Sequence, residues 1–352
     1  MKSFSNMEEY MKKIGVGIVG FGFSSTTFHI PLLQTIDEYD IRAIVSSKED
    51  IVKQALPNVQ VVSNIDELVT RDDIDLVVIT SPNTTHFPFV KEAIVHGKHV
   101  VVEKPFVVSV EEGEELIRLA KEHDVVVSVY HNRRFDNDFL TIKKLIEEKQ
   151  IGNVYTYEAH FDRFRPHVRD RWREKNLPGS GILYDLGSHL IDQALHLFGK
   201  PDAISADVVK QRPGAETDDY FHIALHYGNM RVILHSSSYV KHAGPHFNVH
   251  GDKGSIVKYG MDSQEDQLKA GMKPGDNGYG EDSESNFTVL ETEEEEKRIP
   301  TEVGCYEMYY KGIRDSIVNG VQPPVTAEDG LQVIRLIEYA IESSTTGKVI
   351  LL

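Results

Sequence analysis

Cysteine, long apolar runs and basic residues are all scarce in this chain of 352 residues. Cys305 is the only cysteine, which excludes an intrachain disulfide framework and a metal site built from several cysteines. Such low cysteine usage is typical of a reducing compartment, so we expect a cytoplasmic protein. No apolar run is long enough to span a bilayer, and Met1–Tyr10 lacks the apolar core of a signal peptide. We therefore expect no membrane partner and treat residues 1–11 as a leader outside the fold.

The chain also has fewer basic than acidic residues. The chain has 38 Lys and Arg residues against 55 Asp and Glu residues, a formal net charge of -17. Nucleic-acid binding depends on neutralising many phosphates, so we expect no nucleic-acid partner. A phosphate-bearing cofactor is still compatible with this charge, because helix N-termini and local basic residues bind anions on acidic proteins.

The first third of the chain alternates between short apolar runs and helical patterns. Ser109 and Glu112 predict a capping box at the start of a helix over Val110–His123, and another helix is predicted over Phe87–His96. The predicted strands are Ile14–Val19, Ile41–Val45, Leu76–Ile79, His99–Val102 and Val125–Val129. Short apolar strands joined by amphipathic helices predict a parallel sheet covered on both faces.

After about Tyr130 most of the predicted strands follow one another without helices between them, which indicates an antiparallel sheet. These strands are Asn153–Phe161, Ala203–Val209, Tyr220–Tyr227, Met230–Ser238, Phe247–Gly251 and Gly254–Lys258. The predicted helices are Asp138–Glu148, Leu183–Phe198, Tyr306–Asn319 and Ala327–Ser343. The acidic stretch 261–300 predicts a solvated excursion rather than a site. The whole pattern is α/β followed by α+β, which predicts two domains.

A glycine-rich turn follows the first predicted strand. Gly20 permits a tight turn, and Gly22 would let the backbone approach a pyrophosphate at the N-terminus of the following helix. Ser25 takes the position of a third glycine, where its small side chain would slightly widen the packing of helix on strand. The turn predicts a dinucleotide site because it lies in a βαβ unit, although a plain structural turn would use the same residues.

The end of the second predicted strand distinguishes the two nicotinamide cofactors. An acidic residue there binds the ribose 2′-hydroxyl of NAD, but this chain has Ser46, Ser47 and Lys48. Two hydroxyls and an ammonium suit a 2′-phosphate, so we predict NADP, with NAD as the alternative. Lys48 could instead only begin the next helix in solvent.

Three residues with acid–base chemistry lie at strand and helix ends. Lys104 stands between Glu103 and Pro105 at the carboxyl end of a predicted strand, where ligands of parallel sheets bind and burial lowers a lysine pKa. Asp185 and His189 are four residues apart and share one face of a predicted helix, which suits proton transfer. A surface lysine and a structural Asp–His hydrogen bond are the alternatives.

In chain order, the sequence contains four short motifs: Gly20-x-Gly22, Ser81-Pro82-Asn83 with His86, Glu103-Lys104-Pro105 and Asp185-x-x-x-His189. The set resembles the Gfo/Idh/MocA oxidoreductase family over nearly the whole chain from about Lys12. The resemblance implies an N-terminal Rossmann domain over residues 12–131. It also implies a C-terminal α/β domain over residues 132–352 with an open-faced, mainly antiparallel sheet. That sheet commonly forms a dimer or tetramer interface in the family, so we expect a homodimer or homotetramer.

The same resemblance implies the roles of individual residues. Lys104, Asp185 and His189 would be catalytic, and Arg133 would contact the substrate with them. The residues implied to bind the cofactor are Gly20, Gly22, Phe23, Ser24, Ser46, Ser47, Lys48, Thr80, Ser81, Pro82, Asn83, His86, Glu103, Lys104, Asn132, Trp172 and Arg173.

Three further segments are similar to a bacterial branch of NADP-dependent scyllo-inositol dehydrogenases within that family. They are Phe161–Pro166, Arg169–Arg173 and Arg212–Ala215. The likeness implies an NADP-dependent oxidoreductase that moves hydride between the nicotinamide and a ring hydroxyl of a small polyol or sugar. The arginines of the first two segments would border the active-site cleft or bind an acidic group of the substrate. Salt bridges to the many carboxylates are the alternative.

Two other functions are compatible with the same architecture. Some relatives keep the dinucleotide bound and hydrolyse glycosides through transient oxidation, and a non-catalytic nucleotide sensor could use the same scaffold. Retention of the three catalytic candidates argues against pure sensing. His160, Asp162 and His167 could hold a metal ion, but no metal-type spacing accompanies them, so we predict no metal site.

Overall fold

The computed structural model describes residues 13–352, so the predicted leader over residues 1–11 lies outside the described residues. Its first sheet consists of β1 (Ile14–Val19), β2 (Tyr39–Val45), β3 (Gln60–Val62), β4 (Leu76–Ile79), β5 (His99–Val102) and β6 (Val127–Val129). The strand order is β3-β2-β1-β4-β5-β6, and all neighbours are parallel. This is the order of a Rossmann fold, whose ligands bind at the carboxyl ends of the strands.

Five α-helices connect these strands. They are α1 (Ile30–Leu33), α2 (Glu49–Ala55), α3 (Ile65–Val69), α4 (His86–Val95) and α5 (Val110–Glu122). The sequence patterns predicted no bounds for β3, α2 or α3, because each is too short to show a clear periodicity. The capping box before α5 is only half formed. Ser109 Oγ accepts a hydrogen bond from Glu112 N, but the Glu112 carboxylate accepts one from Val108 N (3.2 Å).

The second sheet has nine strands. They are β7 (Val154–His160), β8 (Ala203–Val209), β9 (Tyr220–Tyr227), β10 (Met230–Ser237), β11 (Phe247–Gly251), β12 (Gly254–Lys258), β13 (Thr288–Thr292), β14 (Glu296–Ile299) and β15 (Ile350–Leu351). Their order is β14-β13-β12-β11-β7-β10-β9-β8-β15, and every neighbouring pair except β7 and β10 is antiparallel. The prediction of a mainly antiparallel sheet is confirmed. The sequence did not predict its last three strands.

Helices cover one face of this second sheet. In β9, Phe221, Ile223 and Leu225 are buried, whereas His222 and Ala224 on the opposite face are only half-buried. Such alternation is the sequence mark of a sheet with one buried face. The helices of this half are α6 (Asn137–Glu147), α7 (Ser188–Phe198), α8 (Gln264–Lys269), α9 (Glu307–Asn319) and α10 (Ala327–Thr346).

The acidic stretch 261–300 is not the solvated excursion that its composition predicted. It contains α8, β13 and β14, and Gln264 of α8 is fully buried, with its side-chain amide donating to Phe135 O (3.0 Å). Glu291 and Glu296 are backbone partners at the end of the hairpin between β13 and β14. The carboxylate run therefore lies at the tip of this hairpin, where its side chains are exposed. The charged residues therefore mark a hairpin tip, and the overall composition hid the ordered elements beside it.

The two halves of the chain share one continuous core. Tyr39 Oη of β2 donates to the carbonyl of Tyr310 in α9 (2.7 Å), and Tyr309 Oη lies 2.6 Å from Ser128 Oγ of β6. Because the C-terminal helices return to the first sheet in this way, the domain division between residues 131 and 132 stays a prediction. Within residues 13–352, no helix is long and apolar enough to cross a membrane.

Candidate active site

The glycine turn after β1 has the geometry of a phosphate-binding turn. Gly20 has φ +102°, and a Cβ there would lie 2.9 Å from Thr80 Oγ1. A Cβ on Gly22 would meet no atom within 4 Å, which leaves the backbone open to a ligand. The buried Ser25 Oγ accepts from Gly22 N (2.9 Å), so the serine closes the turn that a third glycine would leave open.

Ser46, Ser47 and Lys48 follow β2 beside this turn, because Gly20 N donates to Val45 O (3.1 Å). Ser46 Oγ accepts from Lys48 N (3.0 Å), and the side chains of Ser47 and Lys48 are exposed. Lys48 also precedes α2 directly, so the alternative of a helix-start residue fits the same geometry. The three residues are available to a 2′-phosphate on the outer side of the turn.

The loop after β4 is fixed by hydrogen bonds on both sides. Thr80 Oγ1 donates to Val19 O (2.9 Å), and Asn83 Nδ2 donates to Gly179 O in the second half of the chain (2.9 Å). His86 is fully buried, with Nδ1 2.8 Å from the carbonyl of Pro105 and Nε2 3.0 Å from that of Ser81. The histidine therefore holds this loop against the lysine turn.

A cavity of about 390 Å³ opens at the carboxyl edge of the first sheet, between the two halves of the chain. The predicted site residues that line it are Phe23, Ser24, Thr80, Ser81, Asn83, His86, Glu103, Lys104, Asn132, Arg133, Arg173, Asp185 and His189. The predicted residues outside its lining are Gly20, Gly22, Ser46, Ser47, Lys48, Pro82 and Trp172. Another cavity, of about 440 Å³, lies at the opposite sheet edge beside His99. Ligands of parallel sheets bind at the carboxyl edge, which favours the first cavity as the active site.

Lys104 and Asp185 meet across this cavity. Lys104 Nζ donates to the Asp185 carbonyl (2.7 Å) and to its Oδ1 (3.0 Å). Burial lowers the pKa of Lys104, and the Asp185 carboxylate partly offsets that effect. Burial acts to raise the pKa of Asp185, but Lys104 and Arg173 outweigh it and hold that pKa below its usual range. The structure therefore supports an ionised pair that joins the two halves of the chain.

His189 lies in the same cavity wall but is not bonded to Asp185. A π-helical turn over Leu183–Gly187 precedes α7, and its wider spacing departs from the regular helix that the sequence predicted. His189 Nδ1 is buried and has no hydrogen-bond partner within residues 13–352, and Asp185 faces Lys104 instead. The expected Asp–His pair is thus corrected to an Asp–Lys pair. Burial, followed by the charge of Lys104, holds the pKa of His189 well below its usual value, so the imidazole is neutral at pH 7.

Glu103 organises the glycine turn. Its carboxylate accepts hydrogen bonds from Ser24 Oγ and from Lys104 N, and it lies 3.0 Å from His29 Nε2. Burial acts to raise its pKa, but His29 and Ser24 lower it to about 2. His29 Nδ1 in turn lies 2.5 Å from Tyr310 Oη. The sequence contains no local pattern that would have joined these residues.

Arg133 lines the cavity with its charge already neutralised. Its guanidinium donates to Asp136 (2.9 Å) and to Glu265 (3.1 Å), and Glu265 also binds Lys269 (2.7 Å). Glu265 and Lys269 belong to α8, so the acidic stretch contributes directly to the cavity. The sequence missed both residues because their helix is short and lies in a charge-rich segment.

The segment before Asp185 contributes a second cation. Arg173 Nε lies 3.6 Å from Asp185 Oδ1, and its guanidinium carbon lies 4.7 Å from the centre of the Trp172 ring. The Trp172 ring therefore packs against the guanidinium group of Arg173. Asp192, one helical turn beyond His189, is bonded to Arg134 at 2.7 and 2.9 Å. That buried pair is structural, because it lies outside the cavity lining.

Two histidines and an aspartate meet on the half-exposed face of the second sheet. Ligand atoms of His160, Asp162 and His235 lie within 4.8 Å of one another, and Asp162 Oδ1 accepts from Ser237 N (2.9 Å). His167 is not part of this group. The cluster is separate from the active-site cavity, and the prediction that the chain binds no metal stays a prediction.

Family models cover both halves of the chain. The oxidoreductase family NAD-binding Rossmann fold matches residues 14–131, and the oxidoreductase family C-terminal alpha/beta domain matches residues 143–352. The chain belongs to the Gfo/Idh/MocA oxidoreductase family. Its members are NAD(P)-dependent oxidoreductases, so the enzyme class and the fold predicted from the motifs are confirmed.

Relatives of this Gfo/Idh/MocA enzyme match it over nearly its whole length. It is 47% identical over 343 residues to scyllo-inositol 2-dehydrogenase (NADP(+)) IolW of Bacillus subtilis (strain 168), with 96% of each chain covered. The structure of the oxidoreductase yvaA from Bacillus subtilis superimposes with a TM-score of 0.94 at 48% identity, over 97% of this chain and 99% of that one. The YPO2259 oxidoreductase from Yersinia pestis gives 0.92 at 42% identity, over 97% and 98%.

We expect Gly22→Val to separate cofactor binding from folding. Because a Cβ at Gly22 meets no protein atom within 4 Å, the free energy of unfolding should change by less than about 0.5 kcal/mol. The side chain would fill the space of an approaching pyrophosphate, so the Kd for NADPH in a fluorescence titration should rise at least about tenfold. Gly20→Val is the matched control and should also lose stability, since φ is +102° there. An unchanged Kd in Gly22→Val would show that the turn binds no dinucleotide.

Proposed function

We propose that this chain is a cytoplasmic NADP-dependent oxidoreductase that transfers a hydride between the nicotinamide and a ring hydroxyl of a polyol or sugar, such as an inositol. The observation that carries the proposal is the contact of Lys104 with Asp185, with His189 in the same cavity wall. The similarity to a relative named as an NADP-dependent scyllo-inositol dehydrogenase supports the substrate class and the cofactor.

The residues present fit a dinucleotide. The open space at Gly22 suits a pyrophosphate, and Ser46 to Lys48 supply two hydroxyls and an ammonium for a 2′-phosphate. The loop Thr80–Asn83 with His86 would border the ribose and the pyrophosphate, while Asn132 would border the nicotinamide. When bound, the nicotinamide supplies the hydride chemistry.

The three catalytic residues divide the proton chemistry of alcohol oxidation. His189 is neutral, and so can accept the proton of the substrate hydroxyl as the general base. Lys104 is held by Asp185 and can donate a hydrogen bond to the oxygen on which negative charge develops. Asp185 keeps the ammonium charged and in place. In the reducing direction the same residues act in reverse.

The first test is a spectrophotometric assay at 340 nm with scyllo-inositol, myo-inositol and aldoses, each with NADP and with NAD. We expect NADPH formation with at least one of them, and His189→Gln should lower kcat by about 10²–10⁴-fold because the general base is lost. The Kd for NADPH should stay unchanged. His123→Gln, at an exposed position directly after α5 and outside the cavity lining, is the control and should keep wild-type kcat. Wild-type kcat in His189→Gln would remove the proposed base.

Ser47→Asp tests the cofactor preference. The new carboxylate would repel a 2′-phosphate but could accept a hydrogen bond from a 2′-hydroxyl. We expect kcat/KM for NADP to fall by more than about tenfold while that for NAD falls less or rises, since like charges in contact cost several kcal/mol. An unchanged ratio of the two kcat/KM values would show that Ser46 to Lys48 do not bind the phosphate.

A glycosidase that retains its dinucleotide is the second function compatible with this cavity. Such an enzyme would release sugar from a glycoside with no net change in absorbance at 340 nm. The exposed position of Ser47 and Lys48 supports an exchangeable cofactor instead. Product formation from glycosides without net NADPH would reverse this preference.

We also propose a homodimer or homotetramer formed through the half-exposed face of the second sheet. Ile233→Glu places a charge on that face in β10 and should shift the mass measured by light scattering towards the 39.8 kDa monomer. Ile51→Glu, on the exposed surface of α2, is the matched control and should leave the mass unchanged. A monomeric wild-type protein would contradict the proposal.

A further inference from the structure

Four arginines from one segment, residues 163–173, border the active-site cavity. They are Arg163, Arg165, Arg171 and Arg173. The cavity continues from them into a narrow extension that is lined only by residues from the range 163–238. Asp185 lies at the junction of the two spaces, so the arginines stand next to the residues proposed to act on the substrate hydroxyl.

Carboxylates neutralise only part of this positive charge. Arg171 forms an ion pair with Glu174 (2.8 Å). The Asp185 carboxylate is shared between Arg173 and Lys104. The guanidinium groups of Arg163 and Arg165 have neither an ion pair nor a hydrogen bond among the described residues. The chain has a net charge of -17, yet no carboxylate among the described residues pairs with either of these two guanidinium groups.

Arg163 is held in this unpaired state by packing. Its guanidinium carbon lies 4.9 Å from the centre of the Phe161 ring, and Arg133 lies 5.0 Å from the same centre. Burial, followed by the charges of Arg165 and Arg133 against that of Asp185, lowers the pKa of Arg163 to about 10. The Arg163 side chain is half-buried, so water compensates part of its charge, and a bound anion would stabilise it further.

Arg163 and Arg165 are not among the residues expected to bind the cofactor. Its phosphates would lie at the turn of Gly20 and Gly22 and at Ser46 to Lys48, all at the carboxyl edge of the first sheet. The extension beyond Arg163 and Arg165 contains no residue of that sheet. A neutral polyol would accept hydrogen bonds from the guanidinium groups but would leave their charge without compensation.

We propose that the substrate carries an anionic group, a carboxylate or a phosphate, and that Arg163 and Arg165 bind it while the reacting hydroxyl lies at Lys104 and His189. The proposal rests on the proposed function, since it assigns the substrate class of the same cavity. It narrows the substrate from any ring polyol to an acidic sugar or a phosphorylated polyol. Guanidinium groups suit both anions because they offer paired donors in one plane.

The kinetic test compares neutral and anionic polyols in the intact enzyme with NADP. The neutral substrates are scyllo-inositol and myo-inositol, and D-glucuronate and myo-inositol 1-phosphate separate a carboxylate from a phosphate. We expect kcat/KM for one anionic substrate to exceed that for both inositols by at least about tenfold, because a hydrogen bond to a charged group contributes strongly to binding.

Arg163→Met tests the assigned residue, since methionine preserves the apolar contact with Phe161. We expect a loss of about 10–100-fold in kcat/KM for the anionic substrate, little change for the inositols, and partial recovery in Arg163→Lys. Arg169→Met is the matched control: it removes the same charge from the same segment outside the cavity and should have no effect. Equal losses for neutral and anionic substrates, or inositols as the better substrates, would overturn the proposal.

A binding measurement keeps this test independent of turnover. Trp172 is the only tryptophan, and it contacts Arg173, so its fluorescence reports on the arginine side of the cavity. With NADP⁺ saturating, inorganic phosphate should change this fluorescence. The Kd for phosphate should rise at least about tenfold in Arg163→Met and should stay unchanged in Arg169→Met.

If no polyol is oxidised but phosphate binds in this way, the proposed reaction fails and the anion site stands. If inositols are oxidised and phosphate binding is absent or equally weak in both variants, the reaction stands and the anion site fails.

Discussion

The ion pair of Lys104 and Asp185 is the contact on which the active site depends, because it joins the carboxyl end of β5 to the π-helical turn before α7. Both groups are largely buried, so removal of Asp185 would leave the Lys104 ammonium without its carboxylate partner. Breaking a buried pair in this way typically costs about 3–5 kcal/mol in proteins, which is about half of an ordinary folding free energy. The pair therefore holds the end of β5 against the turn that precedes α7. His189 follows on the same helix, so the contact also places the imidazole near the lysine end of the cavity.

Local sequence patterns predicted the fold well where an element was long and apolar on one face. The order of strands and helices in the first 130 residues, and the alternation in β9, both follow from side-chain periodicity. Side-chain periodicity did not predict the elements and strand pairings that depend on contacts between distant segments of the chain. The parallel pairing of β7 with β10 joins distant segments, and α8 is a six-residue helix inside an acidic stretch whose buried Gln264 has no hydrophobic signature.

The candidate site divides in the same way. Motifs identified Lys104, Asp185 and His189 as catalytic candidates, since each lies at the end of an element whose position the pattern predicted. They did not predict which group Asp185 contacts, because that contact depends on the π-helical turn and on the approach of a distant strand. The contact of Glu103 with His29 could not be predicted from residue spacing either. Glu103 follows β5 and His29 precedes α1, and only the folded chain brings these two positions together.

Positive charge in the cavity also determines the acid–base chemistry that the site can perform. Burial lowers the pKa of His189 most, and the charges of Lys104 and Arg163 are among the further causes. Arg163 is the last of these causes, so an anion bound beside it would raise the pKa of His189 only slightly. A general base is most effective when its pKa lies near the working pH. Burial by the protein therefore sets the strength of this base, and the proposed anion site acts mainly on the choice of substrate.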